Sequence, residues 1–192
     1  MNGIAIFNKN TNKSGITGSI KFHQCCPDHG TVITVNLSGF APNAIHAFHI
    51  HEYGDFTNGC ESAGEHYNPF GKNHGSLIID HAIIEFPELL IKVIKSLRAE
   101  LSAPELLTKE LEDYNGRHVG DMINNLNADD NGNVNLIFED DLISLYPPHS
   151  IYGRSIMIHE NPDDLGLGGT KDSITKGSAG KRIACAIIGV SA

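Results

Sequence analysis

The sequence predicts an all-β protein, a barrel or sandwich of short turn-linked strands, and three observations carry that prediction. Several stretches alternate apolar with polar residues and are rich in Ile, Val and Thr, the period-two pattern of half-buried antiparallel strands. Gly, Asn, Asp and Pro punctuate the gaps, as in Asp129 to Gly132 and Asn161 to Gly169, so the connections read as turns. A length of 192 residues with 40% hydrophobic and 19% charged side chains fits one globular domain, 1–192, better than two.

Taken in chain order, the strands are expected at Thr17 to Gln24, Thr31 to Ser38, Ala44 to His51, Val134 to Phe138, Leu142 to Tyr146, Ser155 to His159 and Arg182 to Ile188. One segment departs from this pattern. From His81 to Tyr114 the composition shifts to Leu, Ile, Glu and Lys, and Leu90, Ile94, Leu97 and Leu101 recur at helical spacing on one face. Pro87 suits a first helical turn. Ser102 and Glu105 have capping-box spacing and open a second stripe through Leu107, Leu111 and Tyr114, which Gly116 can end. The reading is a helical hairpin, about 80–115, inserted into a β framework.

With 14 basic and 23 acidic residues the formal net charge is −9, and no basic tract offers a footing for nucleic acid or an anionic membrane. No apolar run approaches the roughly 18 residues of a membrane span, and Met1 to Thr11 lacks the pattern of a secretory signal. A soluble, cytoplasmic protein is expected. Four cysteines are too few for a disulfide scaffold, and the adjacent Cys25 and Cys26 are awkwardly placed to bridge each other, so they read as ordinary free thiols of a strand end.

Eleven histidines are the unusual count. In His49-Ile50-His51 the two imidazoles, two residues apart on a strand, point to one face and can share a metal. Two exposed strand histidines would look the same, so the motif needs the others. His66 and His74 lie in a Gly, Asn and Pro loop, His118 precedes Asp121 by three residues, and His159 closes a strand before an acidic turn. Six histidines and one carboxylate are enough for two sites. Imidazole suits copper and zinc alike, while a carboxylate among histidines suits zinc rather than copper(I).

These residues carry a resemblance. Phe48-His49-Ile50-His51-Glu52-Tyr53-Gly54-Asp55, Gly59-Cys60, Ser62 to Pro69, His74-Gly75, Arg117-His118-Val119-Gly120-Asp121, His159-Glu160, Asp163 to Gly166 and Arg182-Ile183-Ala184-Cys185 together resemble the copper/zinc superoxide dismutases, in family order. The resemblance implies a Greek-key, immunoglobulin-like β-barrel with the helical hairpin inserted in its zinc loop. It implies copper on His49, His51, His66 and His159, and zinc on His66, His74, His118 and Asp121, with His66 shared. It further implies that Asp163 joins a copper histidine to a zinc histidine, that Arg182 orients the anionic substrate, and that Cys60 and Cys185 form a disulfide. Two buried free thiols are the alternative to that bridge.

As an enzyme of this kind the chain would convert superoxide to dioxygen and hydrogen peroxide. The alternative is a non-catalytic, dismutase-like decoy that binds metal or a metallochaperone. The family's partners would be a copper chaperone and a second copy of the chain, with Tyr53, Ile151, Tyr152 and Val190 at the dimer face. The family also has large-DNA-virus members, for which the compartment would be the host cytoplasm or the virion. Two departures stand out. Thr175-Lys176-Gly177 and Lys171 alter the loop that lines the family's substrate channel, so attraction is expected from Arg182 and Lys176. Asn124-Asn125 adds a residue before Leu126, and a bulge is expected to absorb it.

Overall fold

The structure, a computed structural model, describes residues 1–9, 14–85 and 116–192, with the backbone alone for 82–85. Its strands are β1 (Asn2–Phe7), β2 (Thr17–His23), β3 (Thr31–Ser38), β4 (Ile45–His51), β5 (Thr57–Cys60), β6 (Asp121–Asn127), β7 (Asn133–Asp140), β8 (Ser155–His159) and β9 (Arg182–Val190). Eight of them form one antiparallel sheet in the order β6-β4-β8-β9-β1-β2-β3-β7, and β5 stands apart. Its outer strands, β6 and β7, are consecutive in sequence, and the sheet curls into a nearly closed Greek-key barrel. At the turn between these two strands, Asp129 Oδ1 accepts from the N–H groups of Asn131 and Asn133, both at 2.8 Å.

Alternation explains the core. In β3, Thr31, Ile33, Val35 and Leu37 point inward, opposite Ile20 and Phe22 of β2 and Val134 of β7. Phe48 and Ile50 of β4, Ile156 and Ile158 of β8 and Ile188 of β9 complete one continuous core. At roughly 25 cal/mol per Å² of apolar surface, this burial is the main drive for closure.

Three strands were missed by the pattern. β1 inverts the usual signal: Gly3, Ala5 and Phe7 face in, while Ile4 and Ile6 face out, Ile6 with 56% exposure. β5 is short and polar. β6 is rich in asparagine and is interrupted where expected: Ala47 pairs with Asn125 but His49 pairs with Asp121, so Met122 to Asn124 bulge opposite Phe48, with Asn124 at φ 60°.

Conversely, Leu142 to Tyr146 is not a strand. Ile143 and Leu145 are buried, so the alternation was real, but the segment bends through the barrel's long β7–β8 connection. Side chains replace a ladder: Asp140 Oδ1 accepts from the N–H groups of Leu142 and Ile143, and Gln24 Oε1 accepts from Leu145 N at 2.7 Å.

The helical segment begins earlier than expected. Helix α1 runs Leu77–Glu85, and the Ser76 hydroxyl accepts from Ile78 N at its start. Leu77 and Ile79 are buried. The two stripes from Leu90 to Leu101 and from Leu107 to Tyr114 lie outside the described residues. The segment's flanks are tied together nonetheless: Arg117, 1% exposed, donates to Asp80 Oδ2 at 2.8 Å, Asp140 Oδ1 at 2.9 Å and the carbonyl of Asp121 at 2.5 Å. Breaking such a buried pair from one side costs about 3–5 kcal/mol. Among the described residues, no helix is long and apolar enough to cross a membrane.

Candidate metal centre

The end of β4 sets the centre. The strand pairs with β8 through His49 and Met157, and its last three residues are fully buried, so His49 and His51 reach one side while Ile50 enters the core. The loop after β5 lies back on this edge: Tyr67 N donates to Ile50 O at 2.8 Å, Ile50 N to Gly120 O at 3.0 Å and Gly120 N to Tyr67 O at 2.9 Å. Gly120 is required there, since a Cβ would lie 2.2 Å from Ile50 O. The packing carries His66 from the loop, and His118 and Asp121 from the start of β6, to the His49–His51 pair.

Donor atoms of His49, His51, His66 and His159 lie within 4.8 Å of one another, all buried, and a second such group joins His49, His66, His74 and Asp121. His118 is not in that second group, yet its Nδ1 is 3.1 Å from Asp121 Oδ2. The same oxygen is 2.9 Å from His74 Nδ1, and Asp121 Oδ1 is 2.8 Å from His66 Nδ1. Asp163 sits behind both groups, 2.7 Å from His49 Nε2 and 2.9 Å from His74 Nε2.

The residues fit two metal ions on a direct test. Among the described residues, His49 Nδ1 and the Nε2 atoms of His51, His66 and His159 are buried without hydrogen-bond partners, while Nδ1 of His74 and of His118 converge on one oxygen, Asp121 Oδ2. A buried polar atom left unsatisfied costs about 1–3 kcal/mol, and four such nitrogens gathered together suit a shared metal ion. The opposite nitrogens are fixed: His51 Nδ1 faces the Gly64 carbonyl at 3.0 Å, His159 Nδ1 that of Gly180 at 3.1 Å, and His49 and His74 face Asp163. Such partners set the tautomer and turn each lone pair inward. Burial, aided by neighbouring imidazoles, pushes His49, His51 and His66 well below the ordinary histidine value, and burial lowers His159 too. Burial opposes a proton on His74 as well, but Asp121 and Asp163 raise it to about 10. Burial also opposes charge on Asp121, yet His74, then His118 and His66, hold its carboxyl well below the usual range.

A covalent link holds the loop. Cys60 and Cys185 are disulfide-bonded with their Cα atoms 5.8 Å apart, packed against Ala63, Met157 and Phe56. The link anchors the turn whose carbonyls grip Arg182: its guanidinium donates to Cys60 O at 2.9 Å, Glu61 O at 3.2 Å and Gly64 O at 2.5 Å. Arg182, His51, His66 and His159 share a cleft of about 400 Å³. Lys176 and Lys181 line it, and so do Glu61, Glu65, Glu160 and Asp172.

The comparisons with known proteins agree with this geometry. A family model described as copper/zinc superoxide dismutase matches residues 16–89 and 94–188. The chain belongs to the copper/zinc superoxide dismutase family. It is 40% identical over 178 residues to superoxide dismutase [Cu-Zn] of Saccharomyces cerevisiae, covering 93% of this chain and 92% of that one. The corresponding protein of Candida glabrata is 38% identical over the same shares. Among solved structures, that of the clock protein EA4 superposes with a TM-score of 0.72 at 32% identity, covering 99% of this chain and 94% of that one. As a member of this family the chain is a superoxide dismutase that uses copper and zinc, and the decoy reading is not favoured.

Sequence motifs located every member of the two histidine groups, but not the residues that steady Asp163. Asn125 accepts from Asp163 N at 2.8 Å and donates to Asp163 O at 3.0 Å, while Asn124, in the bulge, donates to Gly75 O at 2.6 Å. Gly177 passes so close that a Cβ would lie 2.1 Å from Asp163 Oδ2. The doubled asparagine was the available signal. It signals a register shift, and the structure adds that it braces Asp163.

Proposed function

We propose that superoxide is dismutated in the cleft before Arg182, with copper on His49, His51, His66 and His159, zinc on His66, His74, His118 and Asp121, and His66 common to both. The observation that carries this reading is the set of buried, unpartnered nitrogens together with His66, whose Nε2 is among them while its Nδ1 lies against Asp121 of the second group. Bound copper supplies the one-electron couple that oxidises one superoxide and reduces the next, while zinc has no redox role and steadies the loop.

The chain's own residues do the rest. Arg182 attracts and orients the anion with a forked, permanently charged donor. His66 Nε2 has one lone pair, for a metal or for a proton but not for both; when free of metal between the half-reactions it would take a proton from solvent and give it to the second superoxide, and solvent supplies the other proton needed for hydrogen peroxide. Asp163 keeps His49 and His74 aligned. Lys181 joins Lys176 in offsetting the acidic rim, and Lys176 is itself paired with Asp172 at 3.4 Å. Metal quantitation beside a superoxide assay tests the assignment. One copper and one zinc per chain are expected, and zinc alone after copper loading, with His49 and His51 intact, overturns it.

A homodimer, delivery of copper by a chaperone and a cytoplasmic location belong to the same proposal. The free thiols of Cys25 and Cys26 suit a reducing compartment. Tyr53 and Val190 are exposed, at 55% and 78%, and so are Ile6 and Ile187 on the outer side of β1 and β9, as a dimer face requires. Ile151 is fully buried and belongs to the core instead, and Tyr152 is half-buried with its hydroxyl on Asn2 O. The single domain 1–192 with an accessory insertion at about 80–115 is proposed on the same footing.

A further inference from the structure

The β2–β3 connection holds a cluster that the dismutase centre does not use. Cys25 and Cys26 follow β2, and His29 precedes β3. The two sulfurs are 3.2 Å apart, and Cys26 Sγ is 2.9 Å from His29 Nδ1. All three donor atoms lie within 4.8 Å of one another, with Cys25 and His29 exposed and Cys26 half-buried. None of the three lines the cleft before Arg182.

The turn that presents them is braced. Gln24, 2% exposed, donates from Nε2 to His29 O at 2.7 Å and accepts from Leu145 N at 2.7 Å. His29 N donates to Cys26 O at 3.3 Å, and the Tyr146 hydroxyl to Cys25 O at 3.2 Å. Pro27 restricts the backbone between the ligands. Both ends of the cluster are therefore fixed to the barrel before any ion arrives, and little ordering is left for binding to supply.

We propose that Cys25, Cys26 and His29 form a third metal site, outside the dismutase centre, that takes a single Cu(I) ion. Two thiolates and an imidazole are soft and borderline donors, which select closed-shell thiophilic ions over magnesium or calcium. Cu(I) is content with three such ligands. Structural zinc is almost always four-coordinate, and no fourth donor joins this group among the described residues. The Cys25 hydrogen bond, desolvation and the charge of Asp28 all push the Cys26 thiol up, so binding displaces thiol protons, and Asp28 adds attraction for a cation.

The test uses the full chain already filled with copper and zinc and with the Cys60–Cys185 bond intact. It is titrated anaerobically, in ascorbate, with Cu(I) held by a colorimetric chelator, beside a Cys25→Ser/Cys26→Ser double variant and a His29→Ala variant. The intact chain should take one more Cu(I) than the double variant, with new thiolate-to-copper ultraviolet absorption and unchanged dismutase activity. His29→Ala should bind that ion at least about tenfold more weakly, since even losing an outer partner of a ligand costs 10–100-fold. Counting against the double variant keeps the result independent of how the dismutase centre fills. Equal uptake by the intact chain and the double variant overturns the site. So does a Cys25–Cys26 disulfide, seen by mass, that persists in ascorbate while no extra Cu(I) binds. Retention of Zn(II) in place of Cu(I) in a competitive titration overturns the choice of ion.

Discussion

Arg182 is held by the carbonyls of Cys60, Glu61 and Gly64 and by neither metal-site carboxylate, so its removal separates substrate handling from metal binding. Arg182→Ala should lower superoxide turnover by about 10- to 100-fold, the loss of one charge-assisted hydrogen bond worth about 1.5–3 kcal/mol, with copper content unchanged. Turnover equal to wild type at low and high salt would remove Arg182 from catalysis. Gly177 acts more indirectly. At φ 65° and 2.1 Å from Asp163 Oδ2 for a notional Cβ, Gly177→Ala must displace the carboxylate that orients His49 and His74. Affinity for both metals, read by chelator competition, should fall by about 10- to 100-fold. Unaltered affinity would mean that Asp163 is not needed to align the rings. His49 and His51 were legible because strand alternation puts them on one face, whereas His66, His74, His118 and His159 were placed by motifs that resemble those of the family. Gly177 and Asn124 were not legible, because their roles depend on close approach between a bulge and a loop distant in sequence.

Elements with a buried face were legible to the extent that the face was continuous. β3 matches the sequence reading because one register of Ile33, Val35 and Leu37 faces the core, and β8 because it is buried on both faces. β1 escaped it because its inward residues are small and its outward ones are isoleucines, and β6 because the bulge at Asn124 breaks the period. The insertion tests how far an element can change without touching the centre. Asp80 and Arg117 are joined at 2.8 Å, so the start of the helical segment and the residue just beyond it already meet. Loop-closure cost grows only with the logarithm of length, about 0.6 kcal/mol per doubling, so the segment between them is free to vary. Replacing residues 86–115 by a short Gly/Ser linker, with Asp80 and Arg117 kept, should leave zinc content and dismutase activity within about twofold of wild type. Loss of zinc from the purified variant would make the insertion part of the centre.

On the scale of the molecule, a net charge of −9 repels the anion that the cleft must admit, and the rim of the cleft is itself mixed. Attraction therefore has to be local, which favours an assembly that leaves the cleft open and uses another face. The outer side of β1 and β9 is the face the proposed homodimer would use. Ala5 pairs with Ile188, and both point inward, so the flanking Ile6 and Ile187 point outward. They are 56% and 45% exposed, and Gly54, beside Tyr53, approaches Ile187 so closely that a Cβ would be 3.2 Å from it. Exposed isoleucines on neighbouring strands are the apolar contact such a dimer would bury. If two copies cover it, an isolated charge there is buried without a partner, at a cost of about 3–5 kcal/mol per site, or roughly 100- to 5,000-fold in the dissociation constant. Ile187→Glu should therefore convert the protein from dimer to monomer at micromolar concentration, as read by light scattering, while both metals remain bound, because Ile187 lies outside both histidine groups. A wild-type protein that is already monomeric at that concentration, or a variant whose mass does not change, would rule out β1 and β9 as the dimer surface.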